Sequence, residues 1–243
     1  MQIILGKWTQ DKLDSLISEA SKFRDAGARI NFLSGLFLGT DYKESTLIGD
    51  ADTPEVFVIN LKGADCFTYI DYIEAMRLSG SYSEFKANVK TIRYRSGIVS
   101  FKNRNHFFTD WIESNSKSVR DVTVEIGAQK TKKTTKLLNY REDGTYFING
   151  IQPVQKEINH IPSRAVEGTV LDKLKTGDYA GIYSASQGLD VSHVGIIIKQ
   201  GGAIYLRHAS SEKKHKKVVD QDFKKYIYDK PGLIVLRPKE LRG

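Results

Sequence analysis

His193-Val194-Gly195-Ile196-Ile197-Ile198-Lys199-Gln200-Gly201-Gly202-Ala203-Ile204-Tyr205-Leu206-Arg207-His208 is the stretch from which the fold can be read. Two apolar, β-branched runs flank a Gly-Gly pair, the pattern of antiparallel strands joined by a tight turn. A turn centred on Gln200-Gly201 sets His193 directly opposite His208. A turn centred on Gly201-Gly202 makes the two histidines diagonal neighbours on one face. Only an odd-length loop separates them onto opposite faces, because side chains alternate along a strand. Gly195 shares that face and leaves room beside the imidazoles.

Further strand patterns lie on either side of the hairpin, at Tyr179–Tyr183 and at Leu233–Leu236. The N-terminal part is helical. Thr9 caps a helix with Leu13, Leu16, Ile17 and Ala20 on one face. Ile30, Leu33, Leu36 and Phe37 predict a second helix ending near Gly39, and Val56–Leu61 predicts a short buried strand. Cys66, Tyr69, Ile70, Ile73 and Arg77 then fall at helical spacing behind Asp65, a good N-cap. Another helix is expected from Ser83 through Ile92. Helices first and antiparallel strands later is the α+β order.

Residues 93–165 are harder to read. Val122, Val124 and Ile126 alternate as in a strand, and Gly144 and Gly150 mark turns around Tyr146-Phe147-Ile148. With no Pro- or Ser-rich linker and no repeat, this region is expected to elaborate one domain spanning 1–243.

The 243 residues carry 40% hydrophobic and 27% charged side chains, which excludes global disorder. No stretch approaches the roughly 20 apolar residues that a membrane span needs. Met1–Trp8 is too short and polar for a signal peptide, so a cytosolic protein and one whose leader has been removed both stay open. The net charge of +8 favours encounters with polyanions. Its two clusters, Lys130/Lys132/Lys133/Lys136 and Lys213–Lys217, read as solvated turns, because neither is interleaved with aromatics as in single-strand binders.

Cys66 is the only cysteine, which excludes an internal disulfide and a thiolate metal site. At a helix start its thiolate would be favoured by free N–H groups, which can also hold an oxyanion. The alternative is a small buried hydrophobe. The histidine pair supplies a base and an orienting partner, as a nucleophile requires, with His193 as base and His208 fixing its tautomer. The other readings of that pair are a satisfied core pair or part of a metal site. Metal needs a third ligand, which no spacing offers, and no cofactor is expected.

Asp65-Cys66-Phe67-Thr68-Tyr69-Ile70, Ser192-His193-Val194-Gly195-Ile196 and Arg207-His208-Ala209-Ser210 together resemble the NlpC-type cell-wall cysteine hydrolases, a papain-like superfamily. Gly39-Thr40-Asp41-Tyr42 is similar to that family's Gly-Thr-Pro-Tyr turn, with Asp41 in place of proline. Phe37–Thr40, Arg104–Trp111 and Gly188–His193 are similar to its N-acetylmuramoyl-L-alanine amidase-like branch. The resemblance implies a papain-like fold with catalytic Cys66, His193 and His208, and with Tyr42 helping to bind the oxyanion. Asp65, Arg104, His106, Trp111 and Ser192 are the candidate substrate contacts, although Phe107, Phe108 and Trp111 also fit core packing.

It further implies cleavage of the amide between N-acetylmuramic acid and L-alanine by a periplasmic or secreted monomer. That enzyme acts on peptidoglycan or muropeptides, without nucleic acid as partner and without stable membrane insertion. Two alternatives are carried: a γ-D-glutamyl-diamino-acid endopeptidase, and a non-catalytic basic module binding wall polymer or nucleic acid.

Overall fold

The computed structural model describes residues 1–240. The chain starts with β1 (Gln2–Ile4), α1 (Gln10–Ser21), α2 (Ala26–Gly35), β2 (Asp41–Tyr42), β3 (Val58–Asn60) and β4 (Gly63–Ala64). Next come α3 (Cys66–Arg77), α4 (Tyr82–Arg93), α5 (Phe108–Ser114), β5 (Val119–Asp121) and α6 (Thr123–Gly127). After them run β6 (Lys132–Leu138), β7 (Val154–Pro162) and α7 (Thr169–Lys173). The last part is β8 (Tyr179–Tyr183), β9 (Val191–Gln200), β10 (Ala203–Ala209), β11 (Val218–Asp222), α8 (Phe223–Ile227) and β12 (Gly232–Pro238).

The central sheet runs β11-β10-β9-β8-β12-β7-β6, with β5 also pairing β12, and every pairing in it is antiparallel. The fold is therefore mixed α/β with an antiparallel sheet, in line with the expected order of elements. The β9–β10 turn is centred on Gly201-Gly202, since Gln200 pairs with Ala203 and Ile196 with Arg207. Both glycines have positive φ, 58° and 77°, as a type I′ hairpin requires.

Residues 93–165 add strands to this same sheet: β5 and β7 both pair with β12. Two expectations there, and one nearer the N-terminus, are corrected. Val122–Ile126 does not form a strand; Thr123 starts the short helix α6, its N–H held by Asp121 Oδ1 at 2.7 Å. Lys132, Lys133 and Lys136 are not a solvated turn but lie on β6, and Lys136 is only 3% exposed. Its ammonium donates to the carbonyls of Ser184, Ser186 and Leu189, which lets a charged group sit inside. Finally, α2 stops at Gly35, and the residues up to Gly39 continue as turns.

The sheet has apolar side chains on both faces. Val194, Ile196 and Ile198 of β9 join the core that α1 to α4 cover. Ile197, with Ile204 and Leu206 of β10, joins a second core that includes Phe223 and Ile227 of α8. Helix α3 is fixed within the first core by a buried ion pair to α4 and by a buried Glu74–Arg77 pair within α3 that Tyr179 of β8 holds from outside. Arg93 Nε donates to Asp71 Oδ2 at 2.8 Å, and Arg77 donates twice to Glu74, whose Oε2 also accepts from the Tyr179 hydroxyl at 2.7 Å. Losing one partner of such a pair leaves a buried charge, at a cost of about 3–5 kcal/mol. The orientation of α3, and hence of its first turn, is thus strongly specified.

Candidate active site

Asp65 starts α3 with a reciprocal capping box. Its Oδ1 accepts from the N–H groups of Phe67 (3.0 Å) and Thr68 (2.7 Å) and from the Thr68 hydroxyl (2.9 Å). Thr68 Oγ1 in turn accepts from the Asp65 N–H. The residue expected to touch substrate is therefore engaged in holding the helix start. Cys66 follows at the first helical position, half-buried.

The Val194 backbone N–H, one residue beyond His193, reaches the Cys66 sulfur, as do the N–H groups of Cys66 and Phe67. Burial nevertheless dominates, with the Asp65 charge adding to it, and pushes the thiol up to about 12. The expected thiolate is thus not the resting form. Dipole and N–H groups favour it, but they do not offset removal from water. Alkylation of the native protein by iodoacetamide is expected to accelerate about tenfold per pH unit from pH 7 to 10, with no plateau, because only the thiolate reacts. A rate flat across that range would contradict a neutral thiol.

His193 and His208 lie together as diagonal neighbours. His193 Nε2 and His208 Nδ1 are 2.6 Å apart, with the rings perpendicular. Burial pushes His193 down to about 3, aided by His208 and Lys230, and pushes His208 down to about 4. Both imidazoles are neutral at pH 7. Among the described residues no hydrogen bond joins Cys66 to His193. Side chains alternate, so Val194 turns toward α3 while His193 shares the Gly195 and Ile197 face, where its ring leans on His208 and Tyr226. What joins Cys66 to β9 is the Val194 N–H, and among the described residues no contact links the sulfur to the His193 imidazole.

Gly195 makes the histidine pair possible. A Cβ there would lie 2.9 Å from His208 Cβ and 2.7 Å from Leu206 Cδ1. Gly195→Ala is expected to cost about 1–3 kcal/mol of stability by overpacking, readable in urea denaturation, and to displace His208. An unchanged midpoint would show that the pair has slack.

Tyr42 reaches the site through β2, which pairs in parallel with β4, the strand leading directly into Asp65; Tyr42 lies opposite Ala64. Burial raises its hydroxyl to about 12, with smaller contributions from Cys66, Asp65 and Glu44. Tyr42, Asp65 and Cys66 are thus brought together, as are His193 and His208, and the Val194 N–H links the first group to the strand that carries His193. Ser192 sits beside them on β9, exposed, with its hydroxyl donating to Ile182 O at 3.4 Å.

The insertion residues are engaged elsewhere. Trp111 is fully buried and donates from Nε1 to Asp71 Oδ1 at 3.0 Å, so it packs the core and offers no face to a sugar. Arg104 is paired with the buried Glu55 and donates to Gly49 O at 3.0 Å. His106 Nε2–H donates to Phe101 O at 2.8 Å, and burial drives its imidazole down to about 4. Asp190 anchors the loop before His193, accepting from the N–H groups of Thr109 and Val191, each at 2.7 Å.

Two neighbours of the histidines escaped the sequence reading. The Tyr226 ring lies 5.2 Å from that of His208 and 6.1 Å from that of His193. Gln221 Oε1 is 2.5 Å from His208 Nε2. Both follow the lysine-rich turn, where neither a strand nor a helix was expected. Among the described residues no three His, Cys, Asp or Glu side chains group closely enough to hold a metal ion.

An antiparallel sheet carrying paired histidines, with a cysteine helix packed against it, places the molecule among mixed α/β folds solved for amidases. One such structure, a Bacteroides uniformis protein described as an N-acetylmuramoyl-L-alanine amidase, superposes with a TM-score of 0.72 at 29% identity over 88% of this chain and 99% of its own. The chain belongs to the AmiA-like family, described as N-acetylmuramoyl-L-alanine amidase-like, whose model matches residues 32–233. A Legionella pneumophila protein shares the fold over 94% of both chains, with a TM-score of 0.79 and 21% identity. A Bacteroides fragilis protein described as a putative xylanase matches with a TM-score of 0.66 at 29% identity, over 84% of this chain and 99% of that one. No curated protein matches the sequence.

Proposed function

We propose that this chain is a cysteine amidase of the papain-like, NlpC-type kind, acting as a monomer on the bond between N-acetylmuramic acid and L-alanine in peptidoglycan or its fragments. The observation that carries this reading is the contact between the two imidazoles. It engages Nε2 of His193 and leaves Nδ1 free of any hydrogen bond among the described residues, the nitrogen that this reading assigns to the Cys66 proton. His193 takes the thiol proton as sulfur attacks the lactyl carbonyl carbon. The Cys66 N–H, with the Tyr42 hydroxyl, stabilises the oxyanion. The proton then passes from His193 to the departing alanine nitrogen, leaving a thioester. Water, deprotonated by His193, releases the muramic acid carboxylate and restores the thiol.

Family membership supports the substrate class, and with it an extracytoplasmic location. No helix among the described residues is long and apolar enough to cross a membrane. Glycoside cleavage would need two carboxylates flanking the bond. Asp65, the carboxylate next to Cys66, is engaged in its cap, which favours the amide.

The experiment is digestion of defined muropeptides with mass analysis of the products. Free muramyl sugar with an intact stem peptide is expected. A released Ala-Glu dipeptide would instead identify an endopeptidase. No cleavage of any fragment, with salt-sensitive binding retained, would identify a binding module.

A further inference from the structure

We propose that Gln221, itself held by Glu212, is a positioning residue that sets the tautomer of both histidines and so makes His193 Nδ1 the basic atom. The inference rests on the amidase reading only for what that base is used for. Four side chains run in line: Glu212 Oε2 to Gln221 Nε2 at 3.4 Å, Gln221 Oε1 to His208 Nε2 at 2.5 Å, and His208 Nδ1 to His193 Nε2 at 2.6 Å.

The direction of each bond follows from the far end. The Glu212 carboxylate only accepts, so it takes the Gln221 NH2, which turns the Gln221 carbonyl oxygen toward His208. The opposite amide orientation would set two acceptor oxygens against each other. Facing an acceptor, His208 must carry its proton on Nε2. A neutral imidazole has one donor and one acceptor nitrogen, so His208 Nδ1 accepts. His193 Nε2 therefore donates, and Nδ1 of His193 is left with its lone pair free. Without Gln221, His208 can carry its proton on Nδ1 instead. His193 would then accept at Nε2 and hold a proton on Nδ1, where it cannot take one from sulfur.

The fold supports this order. Gln221 lies on β11 opposite Leu206, and His208 lies opposite Val219, so Gln221 and His208 are diagonal neighbours across the β10–β11 pair. His208 is 1% exposed, so water does not compete for its ring nitrogens. The charged or titratable groups facing the pair are Glu212, His215, Asp220, Tyr226 and Lys230. Among these, the Glu212 carboxylate touches the Gln221 amide.

The direct test is 15N NMR of histidine-labelled protein at pH 7, which needs no substrate. Both imidazoles are expected to be protonated at Nε2, with His193 Nδ1 bare. A His193 protonated at Nδ1 overturns the proposal whatever the enzyme cleaves. Gln221→Leu is expected to mix the tautomers and lower kcat on muropeptide about 10- to 100-fold with KM unchanged. Gln221→Glu offers an anionic acceptor that favours charged His208. It should shift the acid limb of the rate upward by at least one pH unit and recover activity in alkali. Unchanged tautomers and an unmoved acid limb in the two variants would refute the role. Should Gln221→Leu not fold, the wild-type spectrum and Gln221→Glu decide.

Discussion

Cys66→Ala is expected to lower muropeptide hydrolysis by at least about 10⁴-fold while leaving the protein folded. The chemical argument is that no other group takes over. Water attacking the amide directly would lack the thioester that divides the reaction into two easier steps. The structural argument is that the helix start survives. Asp65 Oδ1 is bonded to the backbone of Phe67 and Thr68 and to the Thr68 hydroxyl, none of which involves the sulfur. Cys66 is only half-buried, so the stability change should stay within about 1 kcal/mol. Product formation followed by mass analysis, together with a thermal melt, checks both halves. Activity within tenfold of wild type would remove Cys66 from the mechanism; lost activity with a collapsed melt would make its role structural.

The resting site described by these residues is electrically quiet: a neutral thiol beside two neutral imidazoles. In the proposed mechanism the positive charge of His193 and the negative charge of the sulfur would be created together, as the proton moves. Such a site depends on exact proton placement more than on a standing thiolate. The hydrogen-bond order through His208 therefore matters as much as the presence of His193. Burial makes His193 and His208 resist protonation until well below pH 6.5, which in the proposed mechanism would set the acid limb low.

How much of this was legible in the sequence differs by element. The β9–β10 hairpin was, because a Gly-Gly turn has few geometries and the alternation on either side fixes which faces agree. The α3 start was legible for a similar reason, since Asp65 and the apolar spacing behind it are local signals. Tyr42 came from resemblance, and its parallel pairing beside β4 is a contact that local pattern does not encode. Trp111 was open to two readings because an aromatic at helical spacing looks the same whether it stacks on a ligand or fills a core; only its bond to Asp71 separates them. Val122–Ile126 was misread because five residues fit an alternation as well as a single helical turn. β6 and β11 were hidden by their lysines and acids. They lie at the two ends of the sheet order, where polar side chains are tolerated. Gln221 was lost with β11, and with it the far end of the histidine chain.

Acid should destabilise this protein earlier than carboxylate chemistry alone would. Burial lowers four histidines: His193 to about 3, His106 and His208 to about 4, and His160 in the same direction. In the unfolded chain each titrates near 6.5. Between that value and the folded one, the unfolded state binds protons that the folded state refuses. The stability from these groups is therefore complete above pH 6.5 and is lost as pH falls toward 4. For His208, 1% exposed, the loss by pH 5 is about 2 kcal/mol, from 1.36 kcal/mol per pH unit. Asp71, Asp110 and Asp190, which burial raises, act with the opposite sign, so the histidine share is best isolated by difference. His106 suits this, because its partner is the Phe101 carbonyl and it lies outside the His193–His208 pair. His106→Gln keeps a donor for that carbonyl and removes the titration. Urea denaturation at pH 7 and pH 5 should show the variant losing about 1–2 kcal/mol less than wild type over that interval. Equal losses would mean that His106 takes up its proton in the folded state as readily as in the unfolded one.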